Sequence, residues 1–243
     1  LIEKGASVNA ANVNGETALF FAAISENGSE VALLIQKRAS VDAVNKNGGT
    51  ALLFAAWKGK AAVVELLLEQ GASVEVIDND WTPLRLAAAE GHEAVTALLL
   101  EKGAVVDAAA KNGETALTAA AESGEEAVAA LLLEKGASVN AAIKHGETAL
   151  MFAATMGHTA VAALLVEKGA LLDMTNQDGN YALLFAAEKG HRAVAALLIE
   201  KGASLEIFNK NGATALLVAA VNGREAVTAL LVEKGAPIDA GNL

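Results

Sequence analysis

The chain has 243 residues, a formal net charge of −11 and no cysteine, which excludes disulfides and cysteine-ligated zinc. Hydrophobic residues make up 53% of it and aromatic residues only 4%, so alanine and leucine must build a core of thin, closely stacked layers. Nucleic acid and anionic lipid surfaces are disfavoured as partners, because they require clustered Lys and Arg, whereas the lysines here mostly follow glutamates. No long apolar run is free of charge, so no membrane insertion is predicted.

A single pattern of two short helices recurs along the chain. It is clearest in residues 136–169, where Thr148 is a good helix N-cap and Gly157 ends the first helix with a left-handed backbone. A second helix with one apolar face follows and ends at Gly169. Two such helices cannot bury enough surface alone, so they need copies on either side. The copies are present, because successive capping positions lie 33 residues apart, with one step of 32: Thr17, Thr50, Thr82, Thr115, Thr148, Tyr181 and Thr214.

This pattern resembles the ankyrin repeat, whose unit of about 33 residues reads roughly D-x-x-G-x-T-P-L-H-x-A-A-x-x-G-H, then V-x-x-L-L-x-x-G-A-x-x-N. The resemblance covers the whole chain and implies an all-α ankyrin-repeat solenoid of stacked helix–turn–helix units with β-hairpin-like finger loops. We predict a single array over 1–243, with repeats 1 to 7 at 5–37, 38–70, 71–102, 103–135, 136–168, 169–201 and 202–234, and partial units at 1–4 and 235–243. Because both ends fall inside a repeat, we expect a segment of a longer array; a protein with minimal, frayed ends is the alternative.

Repeat 1 is the most irregular of the seven. Glu26 and Arg38 stand where the pattern has its two cap glycines. Holding a non-glycine residue in the left-handed conformation costs roughly 1–2 kcal/mol. Gly28 follows two residues after Glu26 and predicts a shifted turn between the two helices of this repeat.

Repeats 3 and 6 also depart from the pattern. Repeat 3 lacks the glycine before Trp81, which predicts a tighter and tilted finger, and it alone keeps T-P-L, with Pro83 at the first helical position. In repeat 6, Tyr181 replaces the capping threonine. We expect either that Asn180 caps a helix starting one residue earlier or that the region repacks locally.

Three histidines, His92, His158 and His191, follow cap glycines at equivalent places, where the ankyrin pattern has a structural histidine. We expect them to form hydrogen bonds in turns rather than to perform chemistry. The other family histidine, three residues after the threonine, is missing from every repeat, which predicts cohesion by alanine–leucine packing instead.

Residues typical of a catalytic centre are not grouped in this sequence. The carboxylates are spread one or two per repeat at predicted solvent positions, and the remaining histidine, His145, has no paired nucleophile. The glycines recur at regular intervals along the chain and do not form the cluster that a phosphate-binding loop requires. We therefore predict that the chain is not an enzyme and binds no cofactor or metal.

The resemblance to ankyrin arrays also places a partner site on the concave side, formed by fingers and first helices. Its variable positions lie just before the threonine and just after the A-A pair: Ile24, Ser25, Lys46, Asn47, Trp57, Lys58, Ile77, Asn79, Asp80, Trp81, Ala89, Glu90, Lys111, Asn112, Glu114, Glu122, Ser123, Lys144, His145, Glu147, Thr155, Met156, Gln177, Asp178, Asn180, Glu188, Lys189, Phe208, Lys210, Asn211, Val221 and Asn222. The residues selected as partner-binding are Trp57, Lys58, Asp80, Trp81, Arg85, Glu90, His145, Met156 and Phe208.

Both tryptophans of the chain fall on adjacent repeats, and tryptophan is a common interface anchor. We expect stacking to bring Trp57 and Trp81 together in an aromatic patch flanked by Lys58 and Arg85. The alternative is that Trp81 packs on the shortened finger while Trp57 covers the seam between repeats.

A smaller second patch is predicted from Met156, Phe208 and Val221. The resemblance implies a non-catalytic, intracellular scaffold that binds a partner protein or peptide. The acidic charge favours a basic partner, or it serves only to keep the array soluble. The alternatives are the tether or spring arm of a larger channel, receptor or enzyme, and an engineered consensus-like binder.

Overall fold

The computed structural model describes residues 7–25, 28–78 and 80–238. Within these residues the chain forms seven pairs of helices joined by turn-rich loops. The helices are α1 (Ala18–Ile24), α2 (Gly28–Gln36), α3 (Ala51–Trp57), α4 (Ala61–Glu69), α5 (Pro83–Ala89), α6 (Glu93–Glu101), α7 (Ala116–Ser123), α8 (Glu126–Glu134), α9 (Ala149–Met156), α10 (Thr159–Glu167), α11 (Ala182–Lys189), α12 (Arg192–Glu200), α13 (Ala215–Val221) and α14 (Glu225–Glu233).

Local capping explains why the helices begin and end at these places. In five repeats the side chain of a threonine accepts a hydrogen bond from the backbone N–H three residues later, as predicted for Thr148: Thr50, Thr82, Thr115, Thr148 and Thr214. Gly157 ends α9 at φ 81° and Gly169 follows α10 at φ 90°, both left-handed as predicted.

The helices form two compact units, an N-terminal unit (residues 1–110) and a C-terminal unit (residues 111–243). In the N-terminal unit, α3 contacts α1 and α5, and α4 contacts α2 and α6. In the C-terminal unit, the first helices α7, α9, α11 and α13 contact one another in order, and so do the second helices. The predicted all-α ankyrin-repeat solenoid is confirmed as the fold class. A single continuous array through both units stays a prediction.

The core lies between the two helix layers and consists mainly of alanine, leucine and valine. In repeat 5, Ala153 and Ala154 on α9 are fully buried, and so are Ala162 and Leu165 on α10. The small alanine side chains allow the two helices to approach closely, and the longer leucine side chain fills the space left between them. Full burial of one leucine contributes about 1.5–3 kcal/mol.

Repeat 1 carries the strain predicted at one of its two irregular positions. Arg38 has φ 67°, in the left-handed region that the other repeats fill with glycine. Gly28 is the first residue of α2 and not part of a turn, so the shift predicted from it is wrong. Glu26 lies outside the described residues.

Replacing Arg38 with glycine should therefore stabilise the protein. We expect Arg38→Gly to raise the free energy of unfolding by about 1 kcal/mol, because the strain of a left-handed non-glycine residue outweighs the extra entropy of glycine in the unfolded chain. Urea unfolding followed by far-UV circular dichroism measures the change. Arg38→Ala keeps the Cβ and serves as the control; an equal gain in both variants would show that the side chain, not the backbone, is the cause.

The finger of repeat 3 is tighter, as predicted. Asp78 and Trp81 exchange two backbone hydrogen bonds, of 2.8 and 3.0 Å. Other fingers pair residues four apart, as where the Asn45 N–H donates to the Gly49 carbonyl at 2.9 Å. Asp80 takes the left-handed conformation at φ 71° that closes the shorter turn. The predicted tilt of this finger stays a prediction.

The turn histidines join consecutive repeats by hydrogen bonds, which confirms their structural role. Nε2 of His92 lies 2.9 Å from the Trp57 carbonyl oxygen, and Nε2 of His158 lies 3.0 Å from that of Glu122. His191 makes the same contact with the Thr155 carbonyl at 3.0 Å. Alanine–leucine packing was predicted in place of the missing histidine after the threonine; the buried core has this composition, and the turn histidines add hydrogen bonds between repeats to it.

Each of these histidine rings also fills the space over a glycine of the preceding repeat. A Cβ at Gly124 would lie 2.6 Å from Nδ1 of His158, and a Cβ at Gly157 would lie 2.6 Å from Nδ1 of His191. These glycines have φ angles of 83° and 81°. Glycine is thus required at both positions, because the backbone is left-handed and the neighbouring ring leaves no room for a Cβ.

Tyr181 connects repeat 6 to repeat 7. Helix α11 begins at Ala182, so the expectation that Asn180 caps an earlier start is wrong. Tyr181 is 0% exposed, and its hydroxyl donates to the Ile207 carbonyl at 3.0 Å and accepts from the Ala215 backbone N–H at 3.2 Å. Because Ala215 is the first residue of α13, Tyr181 caps the first helix of the next repeat rather than its own.

Candidate functional site

Trp57 is the last residue of α3 and is 38% exposed. The ammonium of Lys58 lies 3.4 Å from the centroid of its ring, in a cation–π contact. The Trp57 carbonyl accepts from His92 of the next repeat, so the backbone beneath the ring is fixed. The N-terminal unit therefore presents one partly open indole with a cation on its face.

Trp81 is held differently, by a buried arginine. The Arg85 guanidinium carbon lies 4.6 Å from the centroid of the Trp81 ring, and the same group donates to the Asp80 carbonyl. Arg85 is only 2% exposed, so it holds the shortened finger. This geometry corresponds to the alternative in which Trp81 packs on that finger.

The aromatic patch of two tryptophans stays a prediction, since no ring contact between Trp57 and Trp81 occurs within the described residues. Glu90, the C-cap residue of α5, is exposed. Asn79 lies outside the described residues.

The C-terminal unit contains a groove of about 480 Å³ formed by fingers and first helices of repeats 4 to 6. We call it the acidic groove, because three glutamates are among the residues that line it. It is lined by Asn112, Glu114, Glu122, Ile143, His145, Glu147, Met151, Phe152, Thr155, Met156 and Phe185.

Helix α9 supplies the floor of the acidic groove. Phe152 and Met156 lie one turn apart, so both side chains lie on the same face of the helix. Met156 is 50% exposed, whereas Met151 beneath them is buried. Phe185 stands on α11 at the place of Phe152 on α9 and continues the floor. The side chains of Phe152, Met156 and Phe185 thereby form an apolar floor that is partly open to a ligand.

The rim comes from the fingers, where Glu114 and Glu147 each precede a capping threonine. Glu147 is half-buried, contrary to the prediction that all carboxylates lie at solvent positions. Its Oε1 accepts from the Asn176 side chain at 2.9 Å. Its Oε2 is buried and has no hydrogen-bond partner among the described residues. Glu122 and His145 are exposed at the edge.

The acidic groove contains two of the residues selected from the sequence, His145 and Met156. Phe208 is 48% exposed and Val221 is 77% exposed, but neither lines the groove. The patch of Met156, Phe208 and Val221 thus stays a prediction.

Sequence reasoning missed four residues that line the groove: Ile143, Met151, Phe152 and Phe185. A signal was present, because Phe152 and Phe185 are 33 residues apart, and Phe152 lies four residues before Met156.

Among the described residues, no three His, Asp or Glu side chains lie close enough together to hold a metal ion. None of the described helices combines the length and the apolar character needed to cross a bilayer.

The family model for ankyrin repeats, which represents three copies, matches residues 1–78, 84–176 and 169–242. The chain belongs to the ankyrin repeat family. A comparison with curated proteins found no match. Ankyrin repeats are generally modules of protein–protein interaction.

Proposed function

We propose that this ankyrin-repeat protein is a non-catalytic scaffold that binds a partner protein or peptide on its fingers and first helices. The acidic groove carries the proposal, because open apolar side chains with a few polar groups around them are typical of ligand sites. Met156, exposed over half of its surface within the groove, would be covered by a partner.

The N-terminal unit supplies a second contact at Trp57. Its exposed ring and the ammonium of Lys58 together offer an apolar surface beside a positive charge. Arg85 is buried, so we assign it the role of positioning Trp81 and Asp80 rather than touching the partner. The roles of Trp57, Lys58 and Arg85 are assigned within the N-terminal unit alone.

Site-specific photo-crosslinking tests the proposal on the full chain. A benzophenone amino acid replaces Met156 in one protein and Leu171 in another; Leu171 is 59% exposed but lies outside the groove. We expect one protein of a cell extract to crosslink at position 156 and not at 171, and an excess of the unlabelled chain to suppress the product.

Equal crosslinking from both positions would show that capture does not depend on the groove, and it would overturn the groove as the binding site. Absence of any product that the unlabelled chain suppresses would contradict an interaction scaffold. It would favour a tether, which transmits load or sets spacing without a partner on this face.

A further inference from the structure

We propose that the acidic groove binds a peptide segment in which an apolar side chain lies next to Lys or Arg. The inference rests on the proposed function, because it takes the groove as the interface. It goes further in assigning the chemistry of the partner, which follows from the floor, the rim and one buried carboxylate oxygen.

The floor selects an apolar side chain. Phe152, Met156 and Phe185 leave apolar surface in a groove of about 480 Å³, within the range of about 300–1,000 Å³ that is usual for ligand sites. Methionine is unbranched and adapts to ligands of different shape, so the floor suits several aliphatic or aromatic side chains. Burial of such a side chain supplies most of the affinity.

The rim selects a positive charge beside it. Glu114, Glu122 and Glu147 line the groove, and no lysine or arginine does. Lys111 and Lys144 lie on the same fingers but outside the lining. Carboxylates grouped around an apolar cleft focus a negative potential there, which attracts cations and repels acidic partners. A second copy of this chain, with its net charge of −11, is disfavoured for the same reason.

Glu147 supports a cationic partner independently of the overall charge of the rim. Its Oε1 accepts from Asn176, while Oε2 is out of water and without a hydrogen-bond donor among the described residues. A buried acceptor without a donor is costly, and native proteins rarely keep one without a use. A guanidinium or ammonium entering the groove supplies the missing donor once the carboxylate turns toward it. Arginine fits best, because its planar fork pairs with both oxygens of a carboxylate.

Peptide selection on the full chain tests this chemistry. An unbiased library of displayed peptides is selected against the wild-type protein, and the recovered peptides are synthesised with fluorescein for polarisation titrations. The first variant combines Glu114→Gln, Glu122→Gln and Glu147→Gln. The matched control combines Glu134→Gln, Glu167→Gln and Glu200→Gln, which change the net charge equally on exposed second-helix ends outside the groove. A third variant, Met156→Ser, removes an open part of the floor.

We expect recovered peptides to carry Lys or Arg within a few positions of a Leu, Met or Phe. The groove triple variant should bind them at least about tenfold more weakly, and the control triple within about twofold of wild type. Binding to the wild type should weaken as salt rises, because part of the attraction is between charges.

The outcomes separate this inference from the proposed function. Peptides that bind both triple variants equally but lose affinity with Met156→Ser would overturn the cationic partner and keep the groove as the interface. Peptides whose affinity is the same for all three variants as for the wild type would overturn both the groove as the interface and the cationic partner. A library that shows no enrichment would do the same. Circular dichroism of each variant confirms equal helicity before the titrations.

Discussion

Gly124→Ala should be among the most destabilising single-methyl additions in this protein. The new Cβ would lie 2.6 Å from Nδ1 of His158, and the ring can move away only by weakening the hydrogen bond of Nε2 to the Glu122 carbonyl, now 3.0 Å long. The residue would also keep φ 83°, which is strained for any L side chain. Overpacking, backbone strain and a weakened hydrogen bond together predict a loss of about 3–5 kcal/mol in the free energy of unfolding.

Gly136, which follows the end of α8, offers a matched control. It has φ 91°, but a Cβ there would meet nothing within 4 Å. Gly136→Ala therefore isolates the backbone strain and should cost about 1–2 kcal/mol. Both variants are compared by urea unfolding under identical conditions. Equal losses would mean that the His158 ring moves aside without cost and does not lock the two repeats together.

Tyr181→Phe should cost about 2–4 kcal/mol, because removal of the hydroxyl leaves one buried and one partly buried backbone group without their partner. These are the carbonyl of Ile207 and the N–H of Ala215. The loss should appear first as faster amide hydrogen exchange in α13, whose first turn loses the hydrogen bond to Tyr181 and keeps the one to Thr214. Unchanged exchange in α13 would show that the hydroxyl is not a cap for that helix.

The same residue predicts a stability change in alkali. Burial raises the pKa of Tyr181 to about 12. In the unfolded chain tyrosine ionises near pH 10, so between about pH 10 and 12 the unfolded state releases a proton that the folded state retains. Wild-type stability should fall by up to about 3 kcal/mol across this window, relative to Tyr181→Phe, which has no group to ionise. A constant difference between the two proteins from pH 8 to 11.5 would contradict the burial of a neutral hydroxyl.

The helix pairs could be predicted from sequence because their determinants are local. A threonine three residues before its hydrogen-bond donor, as in Thr148 and Met151, and a left-handed glycine such as Gly157 act within a single turn. The role of Tyr181 could not be predicted, since its partners lie 26 and 34 residues away in the chain. The presence of Tyr181 in place of the capping threonine showed only that the start of this repeat's first helix departs from the pattern.

Some residues of the acidic groove could be named from the sequence, although the groove itself was not predicted. His145, Glu147 and Met156 stand at positions that the family resemblance marks as variable and accessible. The half-buried Phe152 and Phe185 were missed, because an apolar residue on the inner face of an amphipathic helix is more often core. Only the three-dimensional arrangement shows that these rings are partly open.

The pairing of a glycine in one repeat with a ring in the next has a consequence for how such a chain can change its length. The contact of Gly124 with the His158 ring has the same geometry as the contact of Gly157 with the His191 ring. A tandem duplication of residues 158–190 would create only junctions of this kind. Since both partners of Tyr181 are backbone groups, a duplicated tyrosine would find them in any repeat that follows. The gene can therefore lengthen by whole repeats without meeting a packing conflict at the new joint.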